Sequence, residues 1–225
     1  MTDHRQQNLV IIGAGGHGSE LCAYIQDIKA QGDSVELAGF IDENKPPGDW
    51  NGFEILGGFV ELEAMLKRGA CSTLYYITAV GDNRVRAELV KKLEGVDAGN
   101  LSAWTLIHPR SAVGRGVEIG EGTCLAPGSI ITTKAHVGRH CIVNVNASIS
   151  HDCRIQDFCN INPGAVIAGN VSLGAGCYIG AGATVIDKVS IGDWAIIGAG
   201  AVVVDDVPPG VTAVGVPAKV IKRNA

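Results

Sequence analysis

Two short stretches of the chain carry residues whose types and spacing could do chemistry. The first is LVIIGAGGHGSE, residues 9–20, where four aliphatic residues run into Gly13-x-Gly15-x-x-Gly18. Glycines between a buried strand and a helix start let backbone N–H groups approach a phosphate, so Gly15 and Gly16 are candidate anion contacts. His17 adds a donor beside them. Asp42, at the end of the next strand-like segment, is placed to accept a hydrogen bond from a ribose or a uracil. The same glycine spacing also serves dinucleotide enzymes, or serves only close packing of a helix on a strand. The second stretch is NVNASISHDC, residues 144–153, where His151 precedes Asp152. An imidazole is the usual general base near neutral pH, and an adjacent carboxylate can orient and polarise it.

The composition narrows the setting. The chain has 225 residues, 46% of them hydrophobic but only 5% aromatic, with 31 glycines. That balance suits a core of small and β-branched side chains. The net charge is −5 and no basic block occurs, so nucleic acid and anionic membranes are not expected partners. No run of about 18 apolar residues is present, so no transmembrane helix is expected. The polar start MTDHRQQN lacks the apolar core of a signal peptide. Seven cysteines without C-x-x-C pairs fit reduced thiols and a cytoplasmic location.

Two regions with different periods must position these residues. From residue 8 to about 105 the text alternates strand-like and helix-like segments: NLVIIGA, then a helix with Leu21, Ile25 and Ile28 on one face, then VELAGFID, a Pro/Gly loop over Lys45–Gly48, a helix in GGFVELEAMLKRGA, TLYYITAVGDN and a helix in NRVRAELVKKLEG. This order predicts a parallel sheet with crossover helices. From Ser111 onward the period becomes six. Every sixth residue from Val113 to Val203, sixteen in all, is Val, Ile or Leu, and the residue two before each is small. Such a repeat predicts a β-helix in which each aliphatic residue points inward and stacks on its equivalents. Glycines that follow the aliphatic residue, such as Gly120 and Gly180, are expected where the chain bends. Cys141, Cys153, Cys159 and Cys177 fall at the small inward position, where packing explains them without a metal.

At this point the chain resembles a known family. The phased repeat is similar to the left-handed β-helix of hexapeptide-repeat acyltransferases. The whole chain resembles the bacterial sugar acetyltransferases of the sialic-acid O-acetyltransferase type, in particular the nucleotide-4-amino-sugar and perosamine N-acetyltransferases. IIGAGGHGSE, FID, VGDNRVR, IHPRSAVG, NVNASISHDCRIQDF and VGVPAKVIK carry the likeness. It implies an α/β, Rossmann-like nucleotide-sugar domain over residues 1–108 and a left-handed β-helix over 109–225. It places His151 at the family's catalytic base, Asp152 at the acid that orients it and Asn144 near the reacting sugar. Gly81 and Asn83 of VGDNRVR join Gly15, Gly16, His17 and Asp42 in the substrate-binding set. Relatives often carry a histidine nine residues past the base; here the position is Asn160. The resemblance also implies a homotrimer with acetyl-CoA held between adjacent β-helices, lined by the backbone of Gly169, Ala181 and Ala199. No metal is implied.

The expected reaction is acetylation, from acetyl-CoA, of the amine of a UDP- or GDP-linked 4-amino-4,6-dideoxy sugar, for a bacterial surface glycan. A dehydrogenase is disfavoured, because only about 100 residues precede the repeat, half of a dinucleotide fold. O-acetylation of a sugar such as sialic acid is the nearest alternative, through the same base. A β-helical zinc enzyme needs three converging histidines, and His136, His140 and His151 are not spaced by multiples of the 18-residue coil. These and His108 are expected at turns or at the domain junction. A glycine one coil beyond His151, Gly169, is expected to leave room for substrate.

Overall fold

The computed structural model describes residues 7–50, 52–68, 73–96 and 99–224. His4 and Cys71 lie outside the described residues. The chain divides into two compact units, Met1–Trp104 and Thr105–Ala225. The division falls before the boundary read at residue 108, because Leu106–Ile107 already pairs with Cys124–Leu125 in a sheet of the second unit.

The first unit is built on β1 (Gln7–Ile12), α1 (Gly16–Ala30), β2 (Val35–Ile41), β3 (Gly48–Trp50), β4 (Phe53–Gly57), α2 (Phe59–Arg68), β5 (Leu74–Thr78), α3 (Asn83–Glu94) and β6 (Leu101–Ala103). The sheet order is β3-β4-β2-β1-β5-β6. All pairings are parallel except β3 with β4. Leu9, Val10, Ile11 and Ile12 are buried, which is why this run has no polar alternation: helices cover the faces of a parallel sheet. Leu21, Ile25 and Ile28 of α1 are buried as their spacing predicts. The β3–β4 hairpin was not expected. Phe53–Gly57 is short and flanked by glycine, and it is held in the sheet by its pairing with β2 rather than by its own pattern.

The second unit is a parallel β-helix of three flat faces. The first face stacks Leu106–Ile107, Cys124–Leu125, Ile142–Val143, Asn160–Ile161, Tyr178–Ile179 and Ile196–Ile197, then Val211–Val214 and the antiparallel Lys219–Arg223. The second runs from Ala112–Val113 to Val202–Val203, and the third from Glu118–Ile119 to Ser190–Ile191. From Leu106 to Val203 each strand pairs with the one 18 residues away, as in His136 with Arg154. From Leu125 to Val203 every aliphatic repeat residue is at most 2% exposed. Full burial of each contributes about 2 kcal/mol. Val113 is 42% exposed, because the first coil has no coil beneath it to complete the stack.

The glycine expectation needs correction. Backbone with positive φ does not directly follow the aliphatic residue; it recurs three residues after it, at Gly116, Asp152, Phe158, Gly164 and their equivalents. Gly120 and Gly180 are required instead by close approach. A Cβ on either would lie 2.5 Å from the backbone of the next coil.

Candidate active site

His151 stands on the edge between the second and third faces, just after Ser148–Ile149. Successive strand residues point to opposite sides, but Asp152 has φ +57°, a left-handed conformation that Asp tolerates. The corner therefore brings the two side chains together: His151 Nδ1 lies 2.8 Å from Asp152 Oδ2. An ionised carboxylate only accepts, so Nδ1 is the donor of this pair, and in the neutral ring Nε2 then keeps its lone pair. Both side chains are about half exposed, at 56% and 47%. The coils above and below hold the corner, with Asn170 N–H donating to His151 O and Asp152 N–H donating to Thr133 O.

Gly169 lies beneath the imidazole. A Cβ there would sit 2.6 Å from Cε1 and 2.7 Å from Nε2 of His151. The space that glycine leaves is thus occupied by the ring itself rather than kept for substrate. A polar cavity of about 330 Å³ opens alongside, lined by Asp152 and Arg154, by Lys134 and His136 one coil before, and by Gly116 and Glu118 two coils before.

The other sequence-chosen residues of this unit lie elsewhere. Asn144 sits at the far end of the strand from His151, its Oδ1 accepting Val145 N–H. Ala181 and Ala199 stack on that same edge, linked by Gly200 N–H to Ala181 O. Within one chain they do not share a groove with Gly169. Asn160 is on the first face and nearly buried. His136 is exposed and pairs with Glu118, while His140 is not a surface residue: it is buried and stacks on Phe158 at 5.6 Å. His108 is buried, and its Nδ1 accepts Arg110 N–H. Cys141, Cys153, Cys159 and Cys177 are buried free thiols that donate to carbonyls of neighbouring coils. Burial pushes the Cys153 and Cys159 thiols up, so they stay protonated. Among the described residues no His, Cys, Asp and Glu group is arranged to hold a metal ion.

In the first unit the glycines divide between two jobs. Gly13 takes φ +105°, and Gly18 is packed so closely that a Cβ would lie 2.7 Å from Gly13 O. Gly15 and Gly16 face open space, at the start of a helix with no side-chain cap and no acidic residue in its first turn. Asp42 ties this loop down: Oδ2 accepts Ala14 N–H and Oδ1 accepts Asn44 N–H, both at 2.8 Å. Each oxygen keeps a further lone pair for a ligand. His17 Nδ1 pairs with Glu20 at 3.0 Å, and that hydrogen bond holds the Glu20 carboxyl below its usual range. Gly81 is exposed and Asn83 buried at the start of α3, which Asp82 caps through Arg84 and Val85 N–H.

Sequence reasoning missed Arg86, Lys45 and the Trp50 ring beneath it. Arg86 is fully buried and its Nη1 donates to Val80 O at 2.8 Å, fixing the segment whose Val80 side chain packs on Gly13. Lys45 Nζ donates to Ala14 O and lies 3.2 Å from the centre of the Trp50 ring. Their contacts depend on tertiary packing; the only signal was the motif VGDNRVR for Arg86 and the turn residues around Lys45.

Comparison with known proteins agrees with this architecture. Residues 8–93 match the PglD N-terminal domain, and residues 170–205 match the bacterial transferase hexapeptide (six repeats). The structure superposes on the perosamine N-acetyltransferase of Caulobacter crescentus, solved as a histidine-to-asparagine mutant in complex with CoA and GDP-perosamine, with a TM-score of 0.85 and 36% identity over 96% of this chain and 97% of that one. The acetyltransferase domain of PglB from Neisseria gonorrhoeae gives a TM-score of 0.83 and 30% identity over 96% of this chain and 100% of that one. The UDP-N-acetylbacillosamine N-acetyltransferase of Bacillus subtilis is 38% identical over 119 residues, 53% of this chain, and the match spans about half (51%) of that protein. A nucleotide-binding style of glycine loop, a left-handed hexapeptide β-helix and a full-length match to the Caulobacter enzyme lead to one conclusion: the chain belongs to the hexapeptide-repeat sugar acetyltransferases that carry a PglD N-terminal domain.

Proposed function

We propose that the protein transfers acetyl from acetyl-CoA to the amine of a nucleotide-linked 4-amino-4,6-dideoxy sugar, with His151 as general base. The full-length likeness to an enzyme solved with CoA and GDP-perosamine carries this reading. The pairing of His151 with Asp152 supports the base assignment. Nε2 takes a proton from the sugar amine as its nitrogen attacks the thioester carbonyl. The C–S bond then breaks, and the proton passes from the imidazolium to the departing thiolate. Asp152 keeps the tautomer and stabilises the imidazolium without taking the proton. Gly15, Gly16, His17, Asp42, Gly81 and Asn83 hold the nucleotide sugar, and Asn144 lies near the reacting sugar.

The protein works as a cytoplasmic homotrimer in this reading. Gly169 and the pair Ala181 and Ala199 lie on different edges of the β-helix, so a CoA groove using all three forms between adjacent copies. Asn160 belongs to that groove in the sequence reading, but its near-complete burial within one chain leaves its side chain little surface to offer. Exposed Ile130 and Val166 on the second face give the apolar contact such an assembly needs. A screen of UDP- and GDP-linked 4-amino sugars with acetyl-CoA, following thiol release, tests the function. Turnover with at least one amino sugar, and none with its hydroxyl counterpart, is expected; turnover only on hydroxyl acceptors overturns N-acetylation. A stable monomer in sedimentation at micromolar concentration overturns the trimer.

A further inference from the structure

The segment after β2 holds both polar groups of one buried residue. Ala14 N–H donates to Asp42, and Ala14 O accepts from the Lys45 ammonium. The ammonium also rests on the face of Trp50, 3.2 Å from the ring centre. Among the described residues its partners are therefore neutral, a carbonyl and a ring, and its charge is not cancelled by a carboxylate. Beside it, Gly15 and Gly16 face open space at a helix start that lacks a side-chain cap and an acid in its first turn. Consecutive Cα atoms are about 3.8 Å apart, so an ammonium on Ala14 O stands within about two residue lengths of the Gly16 amide. A full positive charge and the glycine amides of the helix start thus lie within about two residue lengths of each other along the loop. Amides at a helix start attract a single anionic group, and an adjacent ammonium extends that preference to a second.

We propose that Lys45 is a specificity-determining residue that recognises the diphosphate of the nucleotide sugar, with Trp50 holding its ammonium in place. This rests on the reading that the first unit binds a nucleotide sugar. With one phosphate on the Gly15–Gly16 amides, the ammonium reaches the other, so a diphosphate is preferred over a ligand without phosphate. A mere tether for the glycine loop would affect all ligands of the site alike. A diphosphate contact affects charged ligands alone and weakens with salt.

The test is titration of the full chain with UDP, GDP, uridine and guanosine at low and high salt, for wild type, Lys45→Met and Lys45→Arg. Met keeps the alkyl stem against Trp50 and removes the charge. Lys45→Met is expected to weaken UDP or GDP binding by about 10- to 100-fold, to leave the nucleosides unchanged and to flatten the salt dependence; Lys45→Arg restores most of the affinity. Should Lys45→Met not fold, Lys45→Gln, which keeps a donor for Ala14 O, carries the same comparison. Wild-type diphosphate affinity in the uncharged variant, or equal loss of nucleosides and diphosphates, overturns the proposal. Wild-type protein that binds neither diphosphate overturns the nucleotide-sugar reading as well, which separates the two failures.

Discussion

The His151 edge and the glycine loop are held by different physics. His151 rests over Gly169 because every coil repeats after 18 residues, and each is hydrogen-bonded to the next: Asn170 N–H to His151 O, Lys188 N–H to Gly169 O. The support is many identical contacts, none of which belongs to the site alone. Ala14 is held by Asp42 and Lys45, which lie 28 and 31 residues away in sequence, and these contacts are individual. A ladder-held residue should therefore be replaceable without loss of fold, whereas the loop should lose its shape when its carboxylate tether, Asp42, is removed.

The largest expected effect probes the ladder side. His151→Ala lowers kcat by about 10²–10⁴-fold, the usual worth of a positioned base, while thermal unfolding stays at the wild-type temperature because the side chain is outside the inward stack. Asp152→Asn costs less, since it orients the imidazole and carries no proton. Near-native kcat in His151→Ala with the correct sugar moves the base elsewhere, with His136 and His17 next to test. A smaller change sharpens the geometry. Gly169→Ala puts a methyl 2.6 Å from the ring, so the imidazole must shift; a kcat about 10- to 100-fold lower is expected, as misplacement by an ångström can cause. Unchanged kcat means the ring position seen over Gly169 is not the working one.

The period made the second unit readable. Inward residues, the coil length and the place of Gly169 under His151 follow from counting alone. Counting did not say what the glycines do, because a bend and a close approach leave the same letter: Gly116 bends, Gly120 makes room. It also did not show that Val113 is uncovered, since a repeat carries no mark of its end. In the first unit the sheet and helices were legible from apolar spacing. The β3–β4 hairpin, Lys45 and Arg86 were not, because their roles come from partners distant in sequence. Asp152 meets His151 only through its left-handed corner, which strand alternation alone does not provide and the sequence left open.

The loop side is broken by Asp42→Ala, which leaves Ala14 and Asn44 N–H without their carboxylate. A stability loss of about 1–3 kcal/mol in urea unfolding is expected, together with about tenfold weaker nucleoside diphosphate binding; loss of neither shows that the loop keeps its shape without the tether. The smallest effect concerns Glu20. Its carboxyl is held low in the folded state by His17, so the pair adds stability above the ordinary carboxylate pKa and loses it as pH falls through the lower, folded value. Glu20→Gln should remove only that contribution, about 0.5 kcal/mol or less for a pair whose carboxylate is half exposed, seen as a shallower acid-side fall in a pH series of unfolding curves. An unchanged slope removes the pair from the account.

The central claim is that nucleotide-sugar recognition and acetyl-CoA recognition belong to separate units. Gly16→Val addresses it most directly, because Gly16 faces open space and has no left-handed backbone, so the added side chain obstructs the amides without disturbing the fold. Calorimetric titration of this variant with a nucleoside diphosphate and, separately, with acetyl-CoA is the measurement. Diphosphate affinity is expected to fall by about tenfold or more, a loss of about 1.4 kcal/mol or more, while acetyl-CoA affinity stays at the wild-type value; equal loss of both contradicts the separation of the two sites.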